Sequence, residues 1–397
     1  MDGAVWPRPA AARPRRLLVT AHFVFAGRVG GAEHMLYNLL RGLTAAGADA
    51  GVLCADEANL DPAFVAELRA ANPAGLLAPK SGGRGGDGIR FIAEQRACLS
   101  PGLAADAILF PNYFVPPIVP RRLGRVATVM HDMQYRHFPA NFSAKKRAWL
   151  AAAQAYAMRR ADTVVAISEF VRQDLLRVYG ARFERKVVTI PNPISWDRFG
   201  PAGAGAPIVP RPMERPYILS VAAQYAHKNL EALLRGFALL AATDPDIMLV
   251  FCGQDYGGLR GVPGQRHGLM PLVHALGLQD RVTMTGYVDD ATLGAWYRHA
   301  AMFAFPSIFE GFGMPAVEAL GFGLPTLTTN RTALPEVTMG LAQYVDDPAS
   351  AEEWADRARQ ILRDPQSLRP GADQIAALRD RYSVARVGRQ YCEACFA

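Results

Sequence analysis

No stretch of this sequence approaches the roughly 18 consecutive apolar residues that a membrane-crossing helix needs; the apolar segments 247–252 and 301–305 are both cut off by Gly, Pro or polar residues. A transmembrane chain is therefore not expected. The first residues, Met1 to Pro14, are rich in Pro, Arg and Ala and contain no apolar core of the kind a secretory signal requires, so they read as a loose tail. Cysteine is scarce: five residues, an odd number, are scattered over the chain. That excludes a disulfide framework and fits a reducing, cytoplasmic setting. Cys392 and Cys395 form a lone Cys-x-x-Cys with no second pair, which reads as two neighbours on a helix. No His, Cys and carboxylate group has metal-ligand spacing. Asp244-Pro-Asp246 spells a metal-binding DxD pattern, but it falls between a helix and the start of a strand, where Asp before Pro is common turn chemistry. Neither a metal nor another cofactor is expected.

Acidic residues are outnumbered by basic ones, giving a net charge of +7 over 397 residues. The excess gathers in the first half, at Arg121, Arg122 and Arg125, at Lys145, Lys146 and Arg147, and at Arg159 and Arg160. Such clusters are solvated faces or attract an anionic surface. Nucleic acid is not the expected partner, because no helix-turn-helix, zinc-finger or aromatic-basic pattern accompanies the charge.

What is present is an alternation of short apolar runs with longer amphipathic ones, the pattern of βαβ units and mostly parallel sheets. It occurs twice. Strands are expected at Leu17–Ala21, Ala50–Cys54, Gly75–Ala78, Ala107–Phe110, Val126–Met130, Thr163–Ile167 and Val187–Ile190. Between the first two, Met35, Leu36, Leu39, Leu40 and Leu43 recur at the helical period. The glycine-dense stretch 81–88 reads as a surface loop. Residues 197–216 are dense in Pro and Gly and read as a linker between a domain at 15–196 and a second at 217–382. The second domain restarts with a strand at Tyr217–Val221, then helix 229–242, strand 247–252, helix 265–276, strand 281–286, helix 290–299, strand 301–305, helix 314–320 and strand 325–328. Helices close the chain, the last over 383–397 and able to pack back on the first domain. The fold class is α/β, two Rossmann-like domains with parallel sheets facing across a cleft.

Parallel sheets hold ligands beyond the C-terminal ends of their strands, where loops run into helix N-termini. The first such loop carries Gly30-Gly31, which lets a backbone approach a ligand or simply turns the chain. His131-Asp132 follows a later strand, and the histidine is a satisfied core residue, a ligand group or a general base. Ser168 N-caps the next helix, and Asn192 sits between two prolines. In the second domain Lys228 places a cation at a helix start suited to a diphosphate. The densest signal is Pro306-Ser307-Ile-Phe-Glu310-Gly311-Phe312-Gly313-Met314-Pro315-Ala-Val-Glu318. A strand ends, glycines free the backbone, Pro315 fits the first helical turn, and two carboxylates stand where they can accept hydrogen bonds from diols.

This block, with Tyr225-Ala-His227-Lys228-Asn229, Gly286-Tyr-Val, Leu334-Pro-Glu336-Val, Gly30-Gly31-Ala-Glu33, His131-Asp132 and Ala166-Ile-Ser168-Glu169 in the same order, resembles the donor signature of family-four retaining glycosyltransferases. The resemblance spans about 17 to 395. It implies the GT-B fold, with the acceptor on the N-terminal side and a nucleotide-sugar donor mainly on the C-terminal side. It further implies that Lys228 neutralises the diphosphate, that Glu310 and the backbone of Gly311, Phe312, Gly313 and Met314 hold the transferred sugar, and that Glu318 binds the ribose. His131 would lie near the donor sugar, with Gly30, Gly31, Ser168 and Asn192 completing the donor site. The family transfers without a metal and with retention. Many members carry an Arg five residues before the Lys, where this chain has Ala223, so the source of a second cation is open. The Tyr-x-His-Lys-Asn stretch resembles mannosyltransferases of polysaccharide assembly, which makes GDP-mannose the expected donor; a saccharide or lipid-linked molecule is the expected acceptor, and the basic N-terminal half points to the inner face of an anionic membrane as the location. Alternatives are a GT-B nucleotide-sugar isomerase and a sugar-nucleotide-binding protein that has lost catalysis.

Overall fold

The computed structural model describes residues 15–22, 24, 31–54, 56–72, 75–77, 87–200, 210–253 and 268–397. Gly30 and the glycine-dense stretch up to residue 86 lie outside them. Among the described residues, seven parallel strands, β1 (Arg16–Thr20), β2 (Asp49–Leu53), β3 (Leu76–Leu77), β4 (Ala107–Phe110), β5 (Arg125–Met130), β6 (Thr163–Ala166) and β7 (Val187–Thr189), form one sheet in the order β3-β2-β1-β4-β5-β6-β7. Six more, β8 (Tyr217–Val221), β9 (Met248–Cys252), β10 (Val282–Gly286), β11 (Met302–Phe305), β12 (Thr326–Thr329) and β13 (Gln343–Val345), form a second in the order β10-β9-β8-β11-β12-β13. Both sheets are wound outward from their first strand, then back across it. Strands β1, β4, β5, β6, β9, β11 and β12 are buried almost throughout, which is why they read as continuous apolar runs with no alternation. None of the described helices is long and apolar enough to cross a membrane.

Strand limits differ from the expected ones by a residue or two, and two elements depart further. The helix expected over 265–276 begins only at Met270. Pro271, which has no N–H to donate, is tolerated only in a first turn, so it marks the start of this helix and not its interior. Residues 265–267 lie outside the described set. Strand β13 was not expected: three residues, of which only Val345 is buried, give no period to read. The stretch read as a linker opens on a packed element, since Asp197–Phe199 form a 3-10 turn and Phe199 is buried edge-on to Tyr297 and Phe322. Asp244 builds the turn before β9, its Oδ1 accepting from the backbone N–H groups of Asp246 and Ile247 at 3.1 and 3.2 Å.

The last helix, Val384–Phe396, lies against the first, Gly31–Ala45, and Thr163 Oγ1 of β6 donates to its Ala394 carbonyl at 3.0 Å. Where the two helices cross, glycine faces glycine. A Cβ on Gly388 would stand 2.1 Å from the Gly42 carbonyl oxygen, and one on Gly42 would stand 2.5 Å from the carbonyl oxygen of Val384. Cys395, one helical turn from Cys392, is buried in the same interface and its thiol is pushed up by burial, as a packed hydrophobe would be. One apolar cluster runs from the N-terminal sheet through Tyr382, Val387 and Tyr391 to Phe312, Val317 and Leu320 of the other domain. The crossing therefore bears on both halves. Gly388→Ala is expected to lower unfolding stability by roughly 1–3 kcal/mol through overpacking, whereas Gly102→Ala, in open space at φ +80, adds only local strain. Urea denaturation of the two variants measures the difference, and equal losses would show that the helix crossing has slack.

Candidate functional site

In each sheet the winding reverses beside the first strand, so the loops after the two central strands diverge and leave a crevice at their C-terminal ends. In the second sheet those strands are β8 and β11. The loop after β8 contains the 3-10 turn Ala226–Lys228, and the loop after β11 carries Glu310. Topology thus brings together two residues 82 apart: Lys228 Nζ donates to Glu310 Oε1 at 2.5 Å. The ammonium also stands 5.4 Å over the Phe305 ring. Both side chains are largely but not fully covered, at 17% and 12% exposed, so a ligand can still reach them. Two hydrogen bonds tie the loops: Ile308 N–H donates to the His227 carbonyl at 2.9 Å, and the Ser307 hydroxyl to the same oxygen at 3.2 Å. Glu310 N–H donates to Thr332 Oγ1 at 3.0 Å.

Beyond Glu310 the chain turns into the helix Met314–Gly321 through Gly313, at φ +91, a conformation that favours glycine. Phe312 has its ring in the shared core, edge-on to Tyr382 at 5.3 Å, so only its backbone can serve a ligand. Glu318 lies inside the helix and is 3% exposed. Its Oε1 accepts from Arg198 Nη2 at 2.6 Å, its Oε2 from the Tyr297 hydroxyl at 3.0 Å. Arg198 also pairs with Asp290 at 3.0 Å and keeps a buried Nε without a partner. From the N-terminal domain, His34 faces this group. Burial lowers its pKa first, and Arg198 lowers it further.

The N-terminal domain meets this loop closely. A Cβ on Gly311 would stand 1.9 Å from the His131 carbonyl oxygen, so only glycine fits there. Ser168 caps the helix Glu169–Tyr179, accepting from Val171 N–H, and donates its own hydroxyl to the Gly311 carbonyl at 2.7 Å. His131 Nε2 lies 2.9 Å from the Pro111 carbonyl, which fixes the proton on that nitrogen and leaves Nδ1 as the basic atom. Burial holds the ring below its usual pKa. The Asp132 carboxyl is pushed up by burial, opposed first by the hydrogen bond it accepts from Gln134 N–H and less by the Lys228 ammonium. Gln134 Nε2 lies 2.8 Å from His227 Nδ1, across the junction, and burial together with Lys228 lowers His227 to about 4, so it stays a neutral acceptor. Glu336 reaches over from the C-terminal domain to the same helix start as Ser168, its two oxygens accepting from Glu169 N–H at 2.8 Å and Phe170 N–H at 3.1 Å. A carboxylate there satisfies two of the four free amides and faces the positive end of the helix.

Lys228, Glu310, Gly311, His131 and Ser168 are therefore in one place. Gly31 begins the first helix, and Gly30 is not described. Asn192 is buried with its Oδ1 unpartnered, and among the described residues no hydrogen bond joins it to the others. Arg198 and Tyr297 escape sequence reasoning: the first hides in a stretch whose Pro and Gly content reads as linker, the second reads as helix core. Glu336 was visible only as part of the Leu-Pro-Glu-Val run.

Residues 206–376 match the family model described as glycosyl transferases group 1, and residues 29–198 the model described as glycosyltransferase family 4. The O-antigen chain mannosyltransferase B of Escherichia coli is 28% identical over 258 residues, 64% of either chain. The O-antigen chain mannosyltransferase RfbU of Salmonella typhimurium is 24% identical over 240 residues, 60% of this chain and 61% of that one. The chain thus spans less than two thirds of the length of these curated relatives. Among solved structures, a sucrose-phosphate synthase from Thermosynechococcus elongatus superposes with a TM-score of 0.72 at 18% identity, covering 96% of this chain and 98% of the other. Anabaena HepE in complex with UDP-glucose does so at 0.68 and 17%, again over 96% and 98%. The fold is GT-B.

The Arg198–Glu318 pair yields a direct test. Arg198→Ala would strand a buried carboxylate with Tyr297 alone, and unfolding stability is expected to fall by about 3–5 kcal/mol. Chemical denaturation reads this; a loss below about 1 kcal/mol, the worth of a surface pair, would mean that Glu318 finds water or another donor.

Proposed function

Since the chain belongs to the group 1 glycosyl transferases, we propose that it moves a hexosyl unit, mannose favoured, from a nucleoside-diphosphate sugar to a saccharide or lipid-linked acceptor, with retention of configuration and without a metal. The observation that carries this reading is the Lys228–Glu310 pair at the switch point of the second sheet, one turn from the start of the helix Met314–Gly321. A sugar diphosphate offers both residues better partners than each other. Lys228 turns to the diphosphate, where the free amides of the helix start add to its charge. Glu310 then accepts from the sugar hydroxyls, with the 311–314 backbone beneath them. Arg198 and Tyr297 hold Glu318 rigid for the ribose, which uses the lone pairs that those two donors leave.

In the transfer step the bond between the sugar anomeric carbon and the diphosphate oxygen breaks, and the acceptor hydroxyl oxygen attacks from the same face. Its proton passes to the departing phosphate, and the nucleoside diphosphate leaves. Negative charge grows on that phosphate, so Lys228 and the helix amides are worth more in the transition state than in the ground state. His131, with its Nδ1 free to accept, contacts the donor sugar. The two O-antigen mannosyltransferases among the relatives support mannose as the sugar.

The acceptor reading includes a membrane surface. Ile92, Leu99 and Ile118 stand 51%, 43% and 57% exposed. They form one patch, because Gln95, between the first two on their helix, bonds both the N–H and the carbonyl of Ile118, at 2.9 and 2.7 Å. Exposed Arg96, Arg121 and Arg122 lie beside it, and each basic group near an anionic bilayer contributes about 1 kcal/mol. Vesicles with anionic lipid are expected to sediment the protein at low salt, and Ile118→Ser with Leu99→Ser to release it. Equal recovery with neutral vesicles, or no recovery at all, rules the surface out.

For the donor, thermal shift against GDP-mannose, UDP-glucose, UDP-N-acetylglucosamine, GDP and UDP, with and without chelator, is the first experiment. A donor at 100 times its dissociation constant adds about 2.7 kcal/mol, and chelator should not change it. Lys228→Ala is expected to weaken that binding by roughly 1.5–3 kcal/mol, the range for a charge-assisted bond. If no nucleotide stabilises the chain, or Lys228→Ala binds like the parent, the donor reading fails.

A further inference from the structure

The residue before Glu310 points the other way. Phe309 leaves the C-terminal domain and inserts its ring among three rings of the N-terminal one: His137 at 4.9 Å, Phe138 edge-on at 5.5 Å and Phe170 edge-on at 5.9 Å. It is 3% exposed, yet it belongs to none of the three apolar clusters that make up the cores of the two domains. All three of these ring contacts come from across the junction. The cage is itself braced. His137 Nε2 is 2.7 Å from Asp174 Oδ2, and Arg177 holds the other oxygen of that carboxylate at 3.0 Å. Phe170 sits in the helix turn whose amides Glu336 caps, its own N–H donating to Glu336 Oε2. Phe138 ends the short helix that begins with Gln134, the residue that bonds His227.

Two successive side chains therefore face opposite partners. Phe309 is keyed into the N-terminal domain, and Glu310 is paired with Lys228 of the C-terminal one. Gly311, next in line, rests on His131 and Ser168. The chain between the two keys is one residue long, so a change in how deeply Phe309 sits moves the Glu310 backbone relative to both domains.

We infer that Phe309 is a positioning residue: its seating in the His137–Phe138–Phe170 cage couples closure of the two domains to the placement of the Glu310 carboxylate for transfer. The inference rests on Glu310 acting on the donor sugar. It assigns Phe309 no contact with substrate, and donor affinity, carried mainly by Lys228, the helix amides and Glu318, should depend on it only weakly. Rate should, because a misplacement of about 1 Å costs about a hundredfold in a well-ordered site.

The test uses the full chain with water as the acceptor, following release of nucleoside diphosphate from whichever donor gives the thermal shift. Phe309→Ala should lower kcat by roughly 10- to 100-fold with the donor dissociation constant unchanged within about twofold, and Phe309→Leu, which refills much of the cage, should recover a large part of the rate. Phe170→Ala should act in the same direction, and the double variant should be no slower than the slower single, since both break one contact. Small-angle scattering adds an arm that needs no donor: Phe309→Ala should be more extended than the parent. If Phe309→Ala does not fold, Phe309→Leu and Phe138→Ala carry the same comparison. Unchanged kcat with unchanged scattering overturns the proposal, as does a rate loss matched by an equal loss of donor affinity or additive effects of the two alanines. A parent chain that neither binds nor hydrolyses any donor instead removes the reading of the site itself, and the role of Phe309 with it.

Discussion

Four consecutive residues in the loop after β11 bear on nearly everything else in the molecule, because each takes a different direction from one stretch of backbone. Phe309 enters the N-terminal domain, Glu310 meets Lys228, Gly311 presents bare backbone to His131 and Ser168, and Phe312 returns to the core that both domains share. The constraint at the centre is steric. With a hypothetical Cβ at Gly311 only 1.9 Å from a carbonyl oxygen, any side chain there would push the two domains apart. Removing it lets backbone meet backbone, and the flanking residues are then fixed by that approach. Close packing transmits such a fixed point over several residues, since the interior has few voids to absorb a shift.

The sheets explain why this seam lies where chemistry can happen. Each is wound so that loops diverge beside its first strand, and the C-terminal ends of both sheets point toward the junction, as the contacts of Gly311 with His131 and of Glu336 with the Ser168 helix require. Helix starts accumulate there. One is capped across the junction by Glu336, while the other, at Met314, follows Gly313 and carries no side-chain cap. The two starts are chemically alike, and what separates a structural role from a binding one is which of them the protein's own carboxylate already covers.

Much of this was legible in the sequence. Apolar runs of four to six residues between amphipathic ones pointed to the two parallel sheets, and Lys228 and Glu310 on strand-to-helix loops, with Glu318 a turn inside the following helix, pointed to the C-terminal edge of the second sheet, where the structure has all three. Three kinds of feature stayed hidden. Pro271 was read as part of a helix interior when its missing N–H allowed only a start, and β13 was too short to show a period. Arg198 lay in a stretch whose composition spoke for a linker, and composition says nothing about which single side chain folds back. Contacts across the junction, such as Gln134 with His227 or Phe309 with its cage, depend on how the two domains dock, and neither domain's periodicity records that.

The burial of Glu318 fits this division of labour. A carboxylate at 3% exposure is costly unless its charge is met, and Arg198 meets it from the segment that joins the two domains. The joining segment is thereby fastened to the donor side by a charged pair, and to the aromatic core by Phe199, before the chain continues to the second sheet. Glu318 is thus held by Tyr297 of its own domain and Arg198 of the joining segment, whereas Glu310, paired with Lys228 of its own domain, lies between Phe309 and Gly311, which both pack on the N-terminal one.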